Sequence, residues 1–124
     1  VWGNGEQIRN WTYVDDIVSG TIATAEKIHD GTSINLGTME RIKVKDCADQ
    51  VIDALNPGAT IKLLTDKPTG PLNRVASNAL AKELLDWEPK TSFQVGLQKT
   101  IQWYIDSKTT EQASADLTRK LVGR

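Results

Sequence analysis

Apolar residues recur at helical spacing in four segments, and each segment begins or ends at residues that favour helix termini. The first segment has Val18 and Ile22 on one face and ends at Gly31. Asp15 or Asp16 can cap its start, because a side-chain carboxylate there accepts hydrogen bonds from the free amides of the first turn. The pattern therefore predicts a helix that begins next to these two aspartates.

The other three segments follow the same logic. The second occupies residues 44–55 and is terminated by an Asn-Pro-Gly sequence. The third follows Ser77 as a capping residue and stops before Pro89. The fourth begins at a capping box formed by Thr91 and Gln94. These segments predict about four amphipathic helices.

The amino terminus has a strand-like pattern on both sides of a turn. Asn4-Gly5 separates residues 1–3 from residues 6–14. Asn-Gly is favoured in a type I′ turn, because both central residues of that turn take positive φ. The sequence therefore predicts an N-terminal β-hairpin.

Residues 33–36 and 60–64 predict two further short strands. Together with the helices they indicate a mixed α/β (α+β) fold. The 124 residues are 39% hydrophobic and 25% charged, which is typical of one ordinary globular domain with a single core. Val1 opens the chain directly into a strand-like run without Met, which suggests that the sequence starts part-way through a larger protein.

Charge and cysteine content narrow the possible partners. The 15 Lys and Arg residues against 16 Asp and Glu give a net charge of −1, so neither nucleic acid nor a membrane surface is an expected partner. Cys47 is the single cysteine and His29 the single histidine, which argues against a disulfide, a metal site or a nucleophile-base pair. A cytoplasmic location is predicted.

Two arginines are candidates for binding a phosphate group. Arg9 alternates with Gln7, Trp11 and Tyr13 along one predicted strand, so that aromatic surfaces flank its guanidinium. Arg74 ends a Pro/Gly-rich loop just before a helix. Spacing alone does not bring the two arginines together. Aromatic residues that alternate in a strand are also more often core residues than part of a ligand-binding surface.

Five ordered motifs resemble the substrate-binding half of extended short-chain dehydrogenase/reductases, the NAD-dependent sugar-nucleotide epimerases, dehydratases and decarboxylases. The resemblance extends over about residues 1–107, and it is equally close to GDP-mannose 3,5-epimerases and dTDP-glucose 4,6-dehydratases. The motifs are Trp2-Gly3-Asn4-Gly5-Glu6-Gln7-Ile8-Arg9-Asn10-Trp11-Thr12-Tyr13-Val14-Asp15-Asp16, Asn35-Leu36-Gly37, Arg74 with Ser77, Leu84-Leu85-Asp86-Trp87-Glu88-Pro89, and Gly96-Leu97 leading to Ile101-Gln102-Trp103-Tyr104.

The resemblance implies four substrate-binding residues. Trp2 would lie against the nucleotide base, and Arg9 and Arg74 would pair with the diphosphate. Ser77 stands where the family often has an Asp near the ribose.

The resemblance also implies what this stretch of chain lacks. Members of the family bind NAD through a glycine-rich turn in a Rossmann half and use a Tyr-x-x-x-Lys pair for catalysis, and neither precedes the substrate motifs here. Tyr104 and Lys108 match the spacing but lie after those motifs, so we interpret the match as coincidence. No catalytic, cofactor-binding or metal-binding residue is therefore assigned.

The sequence thus predicts a substrate-binding domain over residues 1–107, without a Rossmann half, followed by a polar tail over residues 108–124 with a weak helical pattern. We expect it to bind a nucleotide-diphosphate sugar weakly and to be inactive alone. An uncovered apolar flank would favour a homodimer or a complementary Rossmann chain. Two alternatives are a standalone nucleotide-sugar binding module and a structural or interaction protein with a relict site.

Overall fold

The computed structural model describes the backbone of residues 1–122 and the side chains of residues 1–116. Within that part of the chain lie five helices and three short strands. In chain order they are β1 (Ile8–Arg9), α1 (Val14–Lys27), β2 (Ile42–Lys43), α2 (Val44–Leu55), β3 (Asn73–Arg74), α3 (Ala79–Leu85), α4 (Phe93–Ser107) and α5 (Thr110–Val122). The predicted tail over residues 108–124 includes α5, and its last two residues lie outside the described ones. The division of the chain at residue 107 stays a prediction.

The three strands form one small sheet with the order β2-β1-β3. β1 is antiparallel to β2, with Ile8 opposite Lys43, and parallel to β3, with Arg9 opposite Arg74. The central strand thus joins three segments that are far apart in sequence. The predicted mixed α+β class is confirmed.

The predicted N-terminal hairpin is wrong. Gly3 and Gly5 do adopt left-handed φ values of 72° and 76°, but the residues before them pair with Leu64 instead of residues 6–14. The Gly3 amide donates to the Leu64 carbonyl at 2.7 Å, and the Leu64 amide donates to the Val1 carbonyl at 2.8 Å. A partner about sixty residues away therefore takes the hydrogen bonds that a hairpin would have used.

The remaining strand predictions are also corrected. The strand predicted for residues 6–14 is confined to Ile8–Arg9, and residues 33–36 form no strand. Residues 60–64 contribute a single bridge, at Leu64. Directly after β1, Asn10 Nδ2 donates to the Thr38 carbonyl at 3.1 Å, so a side chain joins the end of this strand to the segment that follows residues 33–36.

Helix positions follow the apolar pattern more closely than helix caps do. α2 spans the predicted residues, and α5 adds a fifth helix to the four expected. α1 begins after Tyr13, and no aspartate caps it. At α4 the cap is Ser92, whose hydroxyl accepts a hydrogen bond from the Val95 amide, and not Thr91.

The core lies where α1 packs against α3. Ala81, Leu85 and Trp87 are buried there, and partly buried apolar residues from α1 and the segment after it surround them. The Trp87 indole donates to Ser19 Oγ at 3.0 Å, which satisfies its one polar atom. Gly20 has no Cβ to separate α1 from this indole, so the two approach closely. No helix within residues 1–122 combines the length and hydropathy that a membrane span requires.

Candidate functional site

The sheet places Arg9 and Arg74 side by side. They are direct partners in the parallel pair β1 and β3, and facing residues of neighbouring strands project from the same face of a sheet. Strand spacing sets their backbones about 5 Å apart. Arg9 is half-buried and Arg74 is exposed. Guanidinium groups bind groups with several negative oxygens, such as a diphosphate, so this pair is the candidate for that chemistry.

One end of the Arg9 guanidinium is fixed by backbone carbonyls. Nη1 donates to the Ile8 carbonyl at 2.7 Å and to the Pro71 carbonyl at 2.9 Å. Both hydrogens on Nη1 are therefore used, and the rest of the group remains available for a ligand. Pro71 belongs to the Pro/Gly-rich loop that leads into β3, so this loop positions one arginine and carries the chain to the other.

Trp2 presents an aromatic surface near the amino terminus, in the segment that leads into β1. Its side chain is 44% exposed, while its backbone is held by the bridge to Leu64 and by Gln7 Nε2, which donates to the Trp2 carbonyl at 3.2 Å. Gln7 is almost fully buried. The indole is thus available for stacking on a planar group, and its base-binding role stays a prediction.

Ser77 makes a local hydrogen bond at the start of α3. Its hydroxyl is exposed and accepts a hydrogen bond from the Ala79 amide at 3.3 Å, at the start of α3. Within residues 1–122, no hydrogen bond joins Ser77 to Arg9 or Arg74. The structure therefore gives Ser77 a local role at the helix start, and its predicted contact with a ribose stays a prediction.

Glu6 fixes the segment that enters β1. Its carboxylate pairs with Lys43 at 2.7 Å and with Lys45 at 3.2 Å, which ties it to β2 and the first turn of α2. The hydrogen bonds from Lys43 and then from Lys45 lower the pKa of the Glu6 carboxyl below its ordinary value. Since β1 is central, these contacts help to hold the strand that carries Arg9.

The aromatic residues expected to flank Arg9 instead line a separate groove. Trp11 and Tyr13 face α4 across a cavity of about 730 Å³, to which Phe93, Leu97 and Trp103 also contribute. Neither arginine is among the residues that line this groove. Because β1 ends at Arg9, the alternation predicted for a longer strand does not continue to Trp11 and Tyr13.

Cys47 and Lys108 have reactive side chains, and the structure shows what surrounds each of them. Cys47 borders the groove, and burial raises the pKa of its thiol, so the uncharged form dominates at neutral pH. Lys108, in the Tyr-x-x-x-Lys match, pairs with Asp116 of α5 at 3.1 Å. The interpretation of the match as coincidence stays a prediction.

The glycine turn after Trp2 does not fit the pyrophosphate of NAD. A Cβ on Gly3 would collide with Thr69 Cγ2, and a Cβ on Gly5 would lie 2.6 Å from Lys45 Cβ. The space beside both glycines is therefore filled by this protein's own side chains. The turn also leads into β1 and not into a helix whose amides could bind phosphate.

Comparison with known proteins identifies the family. A family model described as GDP-mannose 4,6 dehydratase matches residues 1–100. The chain belongs to the NAD-dependent epimerases and dehydratases of the extended short-chain dehydrogenase/reductases. The family predicted from the sequence motifs is thus confirmed, and its members act on sugar nucleotides.

Individual relatives place this chain within much longer proteins. The dTDP-glucose 4,6-dehydratase of Escherichia coli is 31% identical over 128 residues, which cover 94% of this chain and 35% of that protein. UDP-glucuronic acid decarboxylase 1 of Arabidopsis thaliana is 36% identical over 101 residues, 82% of this chain and 23% of the relative. This chain therefore spans about a quarter to a third of the curated relatives it matches.

A solved structure confirms the fold. UDP-glucuronic acid 4-epimerase of Bacillus cereus, in complex with UDP-glucuronic acid and NAD, matches with a TM-score of 0.74 at 30% identity. The match covers 83% of this chain and 33% of the epimerase. That structure contains both UDP-glucuronic acid and NAD.

Sequence reasoning missed the contribution of the loop before β3. Residues 66–73 are recognisable as a loop from two prolines and a glycine, but the contact between Pro71 and Arg9 depends on the sheet. A Pro-Thr-Gly-Pro sequence shortly before a candidate phosphate-binding arginine was the available signal.

Proposed function

We propose that this chain is the C-terminal substrate-binding part of a cytoplasmic NAD-dependent sugar-nucleotide epimerase or dehydratase. It binds the diphosphate of a nucleotide sugar through Arg9 and Arg74, with Trp2 against the base and Ser77 near the ribose. The observation that carries the proposal is the direct pairing of Arg9 with Arg74 on one face of the sheet. The UDP-glucuronic acid bound by the Bacillus cereus epimerase gives the ligand class to test.

The chain is proposed to be inactive alone. The family's glycine-rich turn and catalytic tyrosine are not among the substrate motifs, and the glycine turn that is present is filled by Thr69 and Lys45. NAD would accordingly be held by the other half of the enzyme, and turnover would need both halves.

An apolar flank supports a protein partner. Val14, Val18 and Ile22 lie one turn apart on α1, and each is at least half exposed. Val14 also lines the aromatic groove, so the stripe and the groove form one continuous apolar surface. Exposed apolar surface of this extent is typical of an interface. We propose that it contacts the complementary Rossmann half or, without it, a second copy of the chain.

The binding proposal is tested by calorimetric titration of UDP-glucuronic acid into the full 124-residue chain. Arg74→Ala should weaken binding about tenfold or more, since a charge-assisted hydrogen bond to phosphate is worth about 1.5–3 kcal/mol. Arg41→Ala is the matched control, because Arg41 is exposed and precedes β2 outside the arginine pair. Absence of binding by the unmodified chain would refute the proposal.

The same titration distinguishes the alternatives. If the chain is a standalone binding module, it should bind nucleotide sugars with the same affinity whether or not a partner is present. Addition of a Rossmann half from the family should then produce no turnover. An interaction protein with a relict site binds no nucleotide sugar but still associates through the apolar flank. Turnover that appears when the complementary half is added supports the enzyme part.

A further inference from the structure

The loop before β3 touches both sides of the proposed binding site. At one end, Thr69 Cγ2 occupies the space beside the Gly3 Cα, directly after Trp2. At the other end, the Pro71 carbonyl accepts a hydrogen bond from Arg9 Nη1 at 2.9 Å. Gly70 lies between these two contacts and is exposed.

Gly70 faces the part of Arg9 that the backbone does not occupy. A Cβ built on Gly70 would lie 3.9 Å from Arg9 Nη2, and it would have no other heavy atom within 4 Å beyond its chain neighbours. Nη1 donates to two carbonyls, whereas Nη2 has no hydrogen-bond partner among residues 1–116, whose side chains the structure describes. The direction in which a side chain would leave residue 70 therefore points at the free nitrogen of the guanidinium.

We propose that Gly70 is a specificity-determining position of the diphosphate site: its missing side chain leaves the approach to Arg9 Nη2 open to a phosphate oxygen. This inference rests on the proposed function. It adds that the anion approaches Arg9 from the side of Gly70. The Ile8 and Pro71 carbonyls hold Nη1 in place, and the bare Gly70 keeps Nη2 accessible. Gly70 thereby determines which ligands can reach the arginine.

The backbone of Gly70 allows a matched pair of variants. Its φ of 68° is in the left-handed region, where Asn and Asp are the side chains best tolerated after glycine. Gly70→Asp and Gly70→Asn therefore impose similar backbone strain and similar bulk. They differ in charge, because the Asp carboxylate would pair with Arg9 and act as a tethered competitor for the ligand.

The experiment titrates UDP and inorganic pyrophosphate into the full chain and both variants at low ionic strength. Gly70→Asn should bind a few-fold more weakly than the unmodified chain, and Gly70→Asp about tenfold more weakly than Gly70→Asn. The difference between the variants should shrink in high salt, which screens the exposed charge pair. A change that acted merely on folding would affect the two variants alike.

A second measurement does not depend on the ligand. In Gly70→Asp, the pKa of the introduced carboxyl, followed by NMR, should lie below the ordinary aspartate value of about 3.9. It should return towards that value when Arg9→Ala is added. An ordinary pKa in the single variant would overturn the inference.

The outcomes also separate this inference from the proposed function. If Arg74→Ala weakens UDP binding but Gly70→Asp and Gly70→Asn bind equally, the Gly70 inference is overturned and the proposed function stands. If the unmodified chain binds neither UDP nor pyrophosphate, both are overturned.

Discussion

Asp16 is the buried charge whose removal should cost this small domain the most stability. Its side chain is 6% exposed and joins α1 to the segment before α4. Oδ1 accepts a hydrogen bond from the Lys90 amide at 3.1 Å, and Oδ2 accepts one from the Thr91 amide at 2.9 Å. Asp16→Ala removes both acceptors and leaves two amides without a protein partner.

The size of the effect follows from those two bonds. A hydrogen bond to a charged group contributes about 1.5–3 kcal/mol, so Asp16→Ala should lower the free energy of unfolding by about 3–6 kcal/mol. Water that reaches the freed amides would reduce this value. At about 3–5 °C per kcal/mol for a domain of this size, we expect Tm to fall by about 10 °C or more.

Thermal unfolding followed by circular dichroism measures this loss. Asp15→Ala is the matched control, because Asp15 has the same charge in the same helical turn but is exposed. Asp15→Ala should lower the free energy of unfolding by less than about 1 kcal/mol, because it removes only the interaction of an exposed carboxylate with the helix dipole. A Tm of Asp16→Ala within 2 °C of the unmodified chain would refute the reasoning.

Three further predictions concern packing, pH and association. Gly20→Ala would put a methyl group 2.8 Å from Leu36 Cδ2, so denaturant titration should show a loss of about 1–2 kcal/mol, whereas Gly58→Ala, whose methyl group would meet only Asn56 Oδ1 at an ordinary contact distance of 3.7 Å, should be nearly neutral. Because the pKa of Glu6 is lowered in the folded state, its ionised carboxylate stabilises the fold above pH 4.5, the ordinary pKa of the group, and this stabilisation is lost as pH falls through the folded-state pKa. Glu6→Gln should therefore lower Tm at pH 7 but not at pH 2. An equal change in Tm at both pH values would contradict this prediction. Val18→Lys should reduce self-association in sedimentation and binding of a hydrophobic dye, because Val18 is 50% exposed within the apolar stripe of α1; unchanged association would place the interface elsewhere.

Sequence pattern was sufficient where the determining interactions are local. α2 begins at Val44 and ends at Leu55 as predicted, because its apolar spacing and the following Asn-Pro-Gly sequence are local signals. The hairpin failed for the opposite reason. Asn4-Gly5 does form a turn with positive φ at Gly5, but the pairing of the chain before the turn is decided by Leu64, which a local pattern does not reveal.

Asp16 shows the same limit for side chains. A carboxylate at the start of a helical pattern predicts a cap, yet the amides that Asp16 binds belong to residues 74 and 75 positions further along the chain. The candidate site could be predicted from the sequence only in part. Residue type and motif order identified Arg9 and Arg74, but their adjacency in the sheet and the position of Gly70 required the structure.

Removal of one arginine of the pair should have opposite effects on stability and on binding. Arg9 and Arg74 are opposite each other in a parallel strand pair, and like charges in that position destabilise a sheet by about 0.2–1 kcal/mol. Without ligand, Arg74→Ala should therefore raise Tm by about 1–4 °C at low salt, while the same change weakens binding of UDP.

Salt separates this repulsion from other consequences of the substitution. Arg74 is exposed, so about 0.5 M salt should remove most of the gain in Tm, because the Debye length then falls to about 4 Å. Arg41→Ala, which removes the same charge outside the pair, should show no such gain at either salt concentration. If Arg74→Ala lowers Tm at both concentrations, the two guanidinium groups do not repel each other on one face. The pair would then lack the unfavourable contact that, in the proposed site, a diphosphate relieves.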